Sequence, residues 1–244
     1  MVTPAEFALF PELRDHFNAV YDLLVGDEGP RGATPLLDVG TGTGAGLAAT
    51  VSGTDLFGVA IDLRFPAEWL GPPDYAFLIA DAQTLPFATD AFPAVLQMET
   101  SEWLTDPVAA LREAVRVSQR RVVVVHTDWQ SLWFDSGDPE TSQEFTRLFA
   151  GPRSDHSAGI MLESQLEAAG LPSFRHDVHV IRGVQIAPDT YAKHLLGLLR
   201  EWLCNQIGAV RARRFDEWLK DLEERSREGT FGFSVDRHVL TGSR

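Results

Sequence analysis

The run Leu36-Leu37-Asp38-Val39-Gly40-Thr41-Gly42-Thr43-Gly44-Ala45-Gly46 limits what this chain can fold into more than any other stretch. It opens as a short apolar strand, Pro35 to Val39, and then breaks into glycines at every second position. A helix-like segment, Leu47 to Thr50, follows. Glycine has no Cβ, so such a turn lets a ligand come close to the backbone, and the helix start beyond it offers unpaired N–H groups. That is a cradle of the nucleotide type. Asp38, two positions before the first glycine, separates two readings. A pyrophosphate at this turn would be repelled by its carboxylate, whereas a cationic ligand would be attracted. The glycines also spell G-x-G-x-x-A from Gly40 to Ala45, so taken alone they leave a dinucleotide cradle open.

Four more apolar runs read as buried parallel strands: Leu56–Ile61, Tyr75–Ala80, Phe92–Met98 and Val122–Val125, ending at Asp62, Asp81, Glu99 and His126. Helices fit over Gly46–Val51 and over Pro107–Val117, the latter with Ala110, Leu111 and Val115 inward. Strand, helix and strand in repetition give a parallel sheet with right-handed crossovers. Ligands of open α/β sheets bind at the carboxyl ends of the strands. A single polar residue there marks only a strand exit, but Asp38 and the four that follow predict a site along one rim. Ahead of the first strand, Ala5–Leu24 carries Phe7, Phe10, Leu13, Phe17 and Val20 at helical spacing, with a break at Pro11. Past His126, helices are predicted over Pro139–Phe149, Ile160–Ala169, Tyr191–Val210 and Arg214–Arg227, and strands over Phe174–Ile181 and Phe231–Leu240. The expected architecture is α/β, a Rossmann-like three-layer sandwich. Its mostly parallel seven-stranded sheet would have an antiparallel last strand and helical additions. Residues 1–244 read as one domain, with a helical cap over 1–34, a binding core over 35–126, and substrate-side additions with the closing strands over 127–244.

The spelling Asp38-x-Gly40-x-Gly42-x-Gly44, together with Asp81-Ala82, Leu85-Pro86-Phe87 and Asp90-Ala91-Phe92, resembles class I S-adenosylmethionine-dependent methyltransferases. The likeness is to the methyltransferase-11 and ubiquinone/menaquinone small-molecule type, and it covers Pro35 to Val125. It implies S-adenosylmethionine as cofactor and S-adenosylhomocysteine as product. By position, Gly40, Thr41 and Gly42 would bracket the methionine end and Asp38 would hold its ammonium. Asp62 and Leu63 would take the ribose, Asp81 and Ala82 the adenine, and Met98 and Glu99 would border the sulfonium. Tyr21 is similar to the N-terminal aromatic that often covers the cofactor, although a core role explains it equally. One departure stands out. Where many relatives carry a His before an Asp-Pro pair, the segment Glu102-Trp103-Leu104-Thr105-Asp106-Pro107 has Trp103, so a base role does not transfer there. The implied reaction is methyl transfer to oxygen, nitrogen or carbon of a small molecule, with bacterial secondary metabolism as the expected setting. Two alternatives stand beside it. One is a cofactor-binding relative repurposed as a cyclase or isomerase. The other is an NAD-dependent oxidoreductase, which Asp38 and the Asp81-Ala82 segment disfavour.

Methyl transfer is an in-line displacement governed by alignment, and it needs a base only for a hydroxyl or protonated amine acceptor. Glu99, His126 (with Asp128 two along) and His156 are the candidates, and no metal is expected. A loop hydrogen bond would account for His126 as well, and solvent exposure for His156 on the polar loop Gly151–Ser157. The net charge of −14 argues against a nucleic-acid partner, because phosphate contacts need a basic surface. A small-molecule acceptor is the expected partner. Trp129, Trp133, Phe134, Tyr191, Trp202 and Trp218 would suit a ring-bearing one, while core packing or a homodimer surface remain equally open. Cys204 is the single cysteine, and no signal peptide or long apolar span is evident. The expectation is a cytoplasmic protein without a membrane partner.

Overall fold

The computed structural model describes residues 10–26, 35–151, 159–171, 173–204 and 209–243. Its strands are β1 (Pro35–Val39), β2 (Phe57–Asp62), β3 (Tyr75–Ile79), β4 (Phe92–Met98), β5 (Ser118–Phe134), β6 (Phe174–Gly183) and β7 (Phe233–Ser243). Its helices are α1 (Arg14–Val25, after a 3-10 turn at Pro11–Leu13), α2 (Ala45–Val51), α3 (Pro107–Val117), α4 (Pro139–Ala150), α5 (Gly159–Ala168), α6 (Tyr191–Cys204) and α7 (Ala209–Glu228). They form one seven-stranded sheet in the order β3-β2-β1-β4-β5-β7-β6. Strands β1 to β5 pair in parallel, and β7 runs antiparallel to both of its neighbours. The expected sandwich with its antiparallel last strand is therefore present.

Both faces of the sheet are covered, which is why its strands read as continuous apolar runs. On one face α1 and α2 bring Val20, Leu24, Leu47 and Val51 against Leu36, Ala60, Leu96 and Val123. On the other, α3 and α5 bring Leu111, Ala114, Leu162 and Leu166 against Leu37, Val95, Val122 and Val124. An aromatic cluster including Phe134, Phe145, Phe149, Phe215, Trp218 and Phe233 joins α4, α6 and α7 to the far parts of β5 and β7. Phe134, Tyr191 and Trp218 are thus core residues, whereas Trp133 is 51% exposed.

Two expectations change, and a segment the sequence left unassigned is settled. The fifth strand does not stop at His126 but continues to Phe134, because β7 lies alongside and pairs His126 with His238, Thr127 with Arg237 and Asp128 with Asp236. A run of four valines gives no sign of that extension, since its partner is more than 100 residues away. Past Asp128 the ladder shifts register. There Gln130 N bonds Asp128 Oδ1, and Ser131 Oγ accepts from Asp236 N in place of a backbone carbonyl. Between β3 and β4 there is no helix. Instead, α3 fixes the connection: Glu113 Oε2 accepts from Leu85 N at 2.7 Å, and Arg116 donates to Leu85 O and Phe87 O. Helix α3 itself starts on Asp106, which accepts from Ala109 N, with Pro107 at its first position. Finally, of the helix predicted over Tyr191–Val210 the structure describes Tyr191–Cys204, and Ala209 and Val210 belong to the described part of the next helix, which was predicted only from Arg214.

Candidate functional site

Gly40, Gly42 and Gly44 all adopt positive φ, at 73°, 57° and 83°. Gly40 N and Thr41 N both point at Ile61 O, each at 2.9 Å, so the turn after β1 is tied to the end of β2. A Cβ on Gly40 would collide with the Thr100 side chain, while one on Gly42 would meet nothing within 4 Å. Glycine is required at Gly40 for space and conformation together, and at Gly42 for conformation alone. Thr100 in turn holds the ends of β1 and β4 side by side, its hydroxyl lying 3.0 Å from Val39 O and 2.9 Å from Met98 O. Beyond these ends lies a cavity of about 400 Å³. It is lined by Gly40 and Gly42 after β1, by Asp62, Leu63 and Arg64 after β2, by Ala80 and Ala82 after β3, and by Glu99, Thr100, Trp103 and Leu104 after β4. Position and size are those of a small-molecule site at the carboxyl rim of an α/β sheet.

Under the glycine turn sits Asp38, 3% exposed. Burial pushes its carboxyl up to about 7, against the pull of the Thr41 hydroxyl and with a further push from Asp62. A carboxylate held there is costly until a cation arrives beside it. The Thr41 hydroxyl is buried beside the Asp38 carboxyl, near enough to pull on it but out of line for a well-formed hydrogen bond. Asp62 Oδ2 accepts from Gly42 N at 2.9 Å and borders the cavity. An acid, a neighbouring hydroxyl and a rim carboxylate suit an ammonium and a pair of ribose hydroxyls, and they do not suit a pyrophosphate. The donor set therefore fits S-adenosylmethionine better than a dinucleotide. Asp81 Oδ1 accepts from Gln83 N, which braces its turn, and Ala82 rather than Asp81 lines the cavity. Leu63 is 60% exposed at the mouth. Met98 packs behind the wall against α2, and Tyr21 packs on the α1–α2 core.

At the end of β4 the backbone turns through Glu99 at φ 51°, an uncommon value for a residue with a side chain. Its carboxylate accepts from Thr127 N, Thr127 Oγ1 and Arg237 Nη2, at 3.1, 2.7 and 2.7 Å. Burial opposes ionisation here, but Arg237 first, then His126 and the Thr127 hydroxyl, outweigh it and hold the carboxyl below its usual range. His126 is 1% exposed. Its Nδ1 lies 3.3 Å from Glu102 Oε2, at ion-pair distance though out of line for a hydrogen bond. Burial lowers the affinity of this ring for a proton, but Glu102, Glu99 and Asp128 more than reverse that and leave it above the usual histidine range. The structure so gathers Glu99 and His126 into one buried charge cluster, with Glu99 ionised and His126 proton-binding. The Glu99 carboxylate is already engaged by three donors, which leaves it less free to take a proton from an acceptor. Glu99, Glu102 and His126 have metal-ligand spacing. Arg237, 2.7 Å from Glu99, already answers one of these two carboxylates. His156 lies outside the described residues.

Arg237, Thr127, Glu102 and Thr100 escaped the sequence reading. For Arg237 there was a signal: Val235, Arg237 and Val239 occupy successive inward positions of one strand, and all three are buried. An arginine at an inward position needs a partner for its charge.

Residues 37–125 match a protein family described as a methyltransferase domain. No curated protein matches the chain. Among solved structures, a candidate methyltransferase from an antibiotic biosynthesis pathway of Anabaena variabilis superposes with a TM-score of 0.69 at 12% identity, over 97% of this chain and 99% of that one. The [4+2]-cyclase SpnF superposes with a TM-score of 0.55 at 19% identity, over 95% and 80%. Phosphoethanolamine N-methyltransferase 2 of Haemonchus contortus, solved with S-adenosylhomocysteine and phosphomonomethylethanolamine, gives 0.54 at 13%, over 94% and 52%. At these identities the likeness is one of fold, and the fold is the Rossmann-like one of class I methyltransferases.

Proposed function

From the methyltransferase-domain match over residues 37–125, we propose that this chain binds S-adenosylmethionine at the rim cavity and transfers its methyl group to a small-molecule acceptor. The observation that carries the proposal is Asp38, a buried acid under a glycine turn that ionises at little cost only when a cation sits beside it. In this reading Asp38 and Thr41 hold the amino-acid end, Gly40 and Gly42 allow its approach, Asp62 takes the ribose hydroxyls, and Ala82 and Leu63 flank the base. When bound, the cofactor supplies an electrophilic methyl on a sulfonium that leaves as a neutral thioether. The protein's share is alignment and exclusion of water. Glu99, held ionised by Arg237 and Thr127, places a fixed carboxylate dipole at the cavity wall, its negative end beside the region where positive charge must sit. Calorimetry with S-adenosylhomocysteine and with NAD tests the cofactor, with binding expected for the first alone. Binding of NAD in its place would end the reading.

A second reading has a specific observation in its favour. Among the described acid–base candidates only Glu99 borders the cavity, and it is engaged by Arg237, while Trp103, 71% exposed, stands where many relatives carry a histidine. A protein of this kind could bind the cofactor and act on its substrate without methylating it, as a cyclase or isomerase. Turnover of a substrate with no S-adenosylhomocysteine formed, followed by mass spectrometry, would select this second reading. The setting in bacterial secondary metabolism is part of the proposal and rests on the acceptor being a small molecule.

A further inference from the structure

We propose that Arg237 and His16 form a subsite for a carboxylate carried by the acceptor, next to Glu99. This rests on the methyl-transfer reading for its purpose, though not for its test. Arg237 is 2% exposed and among the bulkiest fully buried side chains. Only Nη2 is engaged, on Glu99 Oε1 at 2.7 Å. Its Nε and Nη1 find no hydrogen-bond partner among the described residues. A guanidinium offers donors only, in a planar fork that matches the two oxygens of a carboxylate, and a buried N–H without an acceptor carries its full desolvation cost. Such a group calls for an oxygen ligand.

His16 supplies the second observation. It is 3% exposed, and its Nε2 is likewise without a partner. Its Nδ1 lies 2.8 Å from His179 Nδ1, so one ring donates to the other. With His179 as donor, His16 carries its proton on Nε2 and presents a further N–H. Burial, then the charge of Arg237 and His179, keep His16 neutral, so it adds a donor without adding charge. Both side chains border one ring: His16 lies 5.3 Å from the centroid of Phe17, and Arg237 Cζ lies 5.7 Å from it. Among the described residues Glu99 is paired with Arg237, and Glu102 lies at ion-pair distance from His126.

Benzoate and its neutral isostere benzamide are suitable probes, titrated into the whole protein with and without saturating S-adenosylhomocysteine and followed by ligand-observed NMR. Benzoate should bind roughly tenfold more tightly than benzamide, and Arg237→Lys, which keeps a cation for Glu99 but loses the fork, should remove roughly that tenfold. A crystal structure with benzoate should place its carboxylate on Arg237 Nε and Nη1, and this measurement stands even if the variant does not fold. Equal binding of the two probes, unchanged affinity in Arg237→Lys, or waters alone on Nε and Nη1 with benzoate elsewhere would each overturn the subsite. Failure of S-adenosylhomocysteine to bind would instead sink the methyl-transfer reading and leave the benzoate comparison to decide the subsite.

Discussion

Asp38 keeps its proton in the folded protein up to about pH 7, whereas the unfolded chain loses it near 3.8. A carboxyl with a raised folded value adds stability that is complete below the unfolded value and disappears as pH rises through the folded one. The ligand-free protein should therefore lose, between pH 4 and 7, stability that Asp38→Asn keeps, on the order of 4 kcal/mol for a shift of this size. Urea midpoints at pH 5 and pH 8 should show the variant gaining on the wild type as pH rises, and a constant gap would contradict this. The same acid should release its proton when an ammonium arrives, so calorimetry of S-adenosylhomocysteine near pH 6.5 should depend on the buffer's ionisation enthalpy, and cease to do so in Asp38→Asn. Glu99 and Arg237 make a second test. Arg237→Met strands a carboxylate of which 27% of the side chain is exposed, at a cost of about 3 kcal/mol, and adding Glu99→Gln should recover part of the loss. Asp38 and Asp62 were legible because they stand at fixed distances from the glycines that need them. Arg237 was not, because its need arises from Glu99, 138 positions away.

Among the elements, the turn between β1 and α2 carries the most specific demand. Gly40→Ala would meet both a positive φ and the Thr100 side chain, and Gly42→Ala only the positive φ. The second should cost about 1 kcal/mol and the first clearly more, read as urea midpoints of the two variants. Equal costs would mean that Thr100 moves aside freely. Helix α3 was legible from its Asp-Pro start and inward alanines, and β1 to β4 from their unbroken apolar runs. Strand β5 was legible only in its first half. Val122–Val125 is buried on both faces, whereas Thr127 and Asp128 are polar and continue the strand because the adjacent β7 pairs with them through Arg237 and Asp236. The aromatic residues beyond it could not be assigned by spacing, since core and acceptor wall use the same side chains. Packing decides the matter for Phe134, Tyr191 and Trp218.

For the molecule as a whole, ligand and fold are linked by mass action. S-adenosylhomocysteine at a hundred times its dissociation constant should stabilise the native state by about 2.7 kcal/mol, which for a domain of this size raises the melting temperature by roughly 5–10 °C. Thermal scans with NAD at equal concentration should show no such rise. No described helix is long and apolar enough to cross a membrane. The strand order has a consequence of another kind. Strand β7 sits between β5 and β6 but leaves the ribosome after both. While translation is under way, β1 to β5 can already assemble, yet β6 has no sheet partner to join and Glu99 lacks its Arg237 partner. The nascent chain holds an open strand edge until β7 has been made and can insert beside it. Synthesis thus times the site: the glycine cradle can form early, and the Arg237 side of the charged wall is added only with β7.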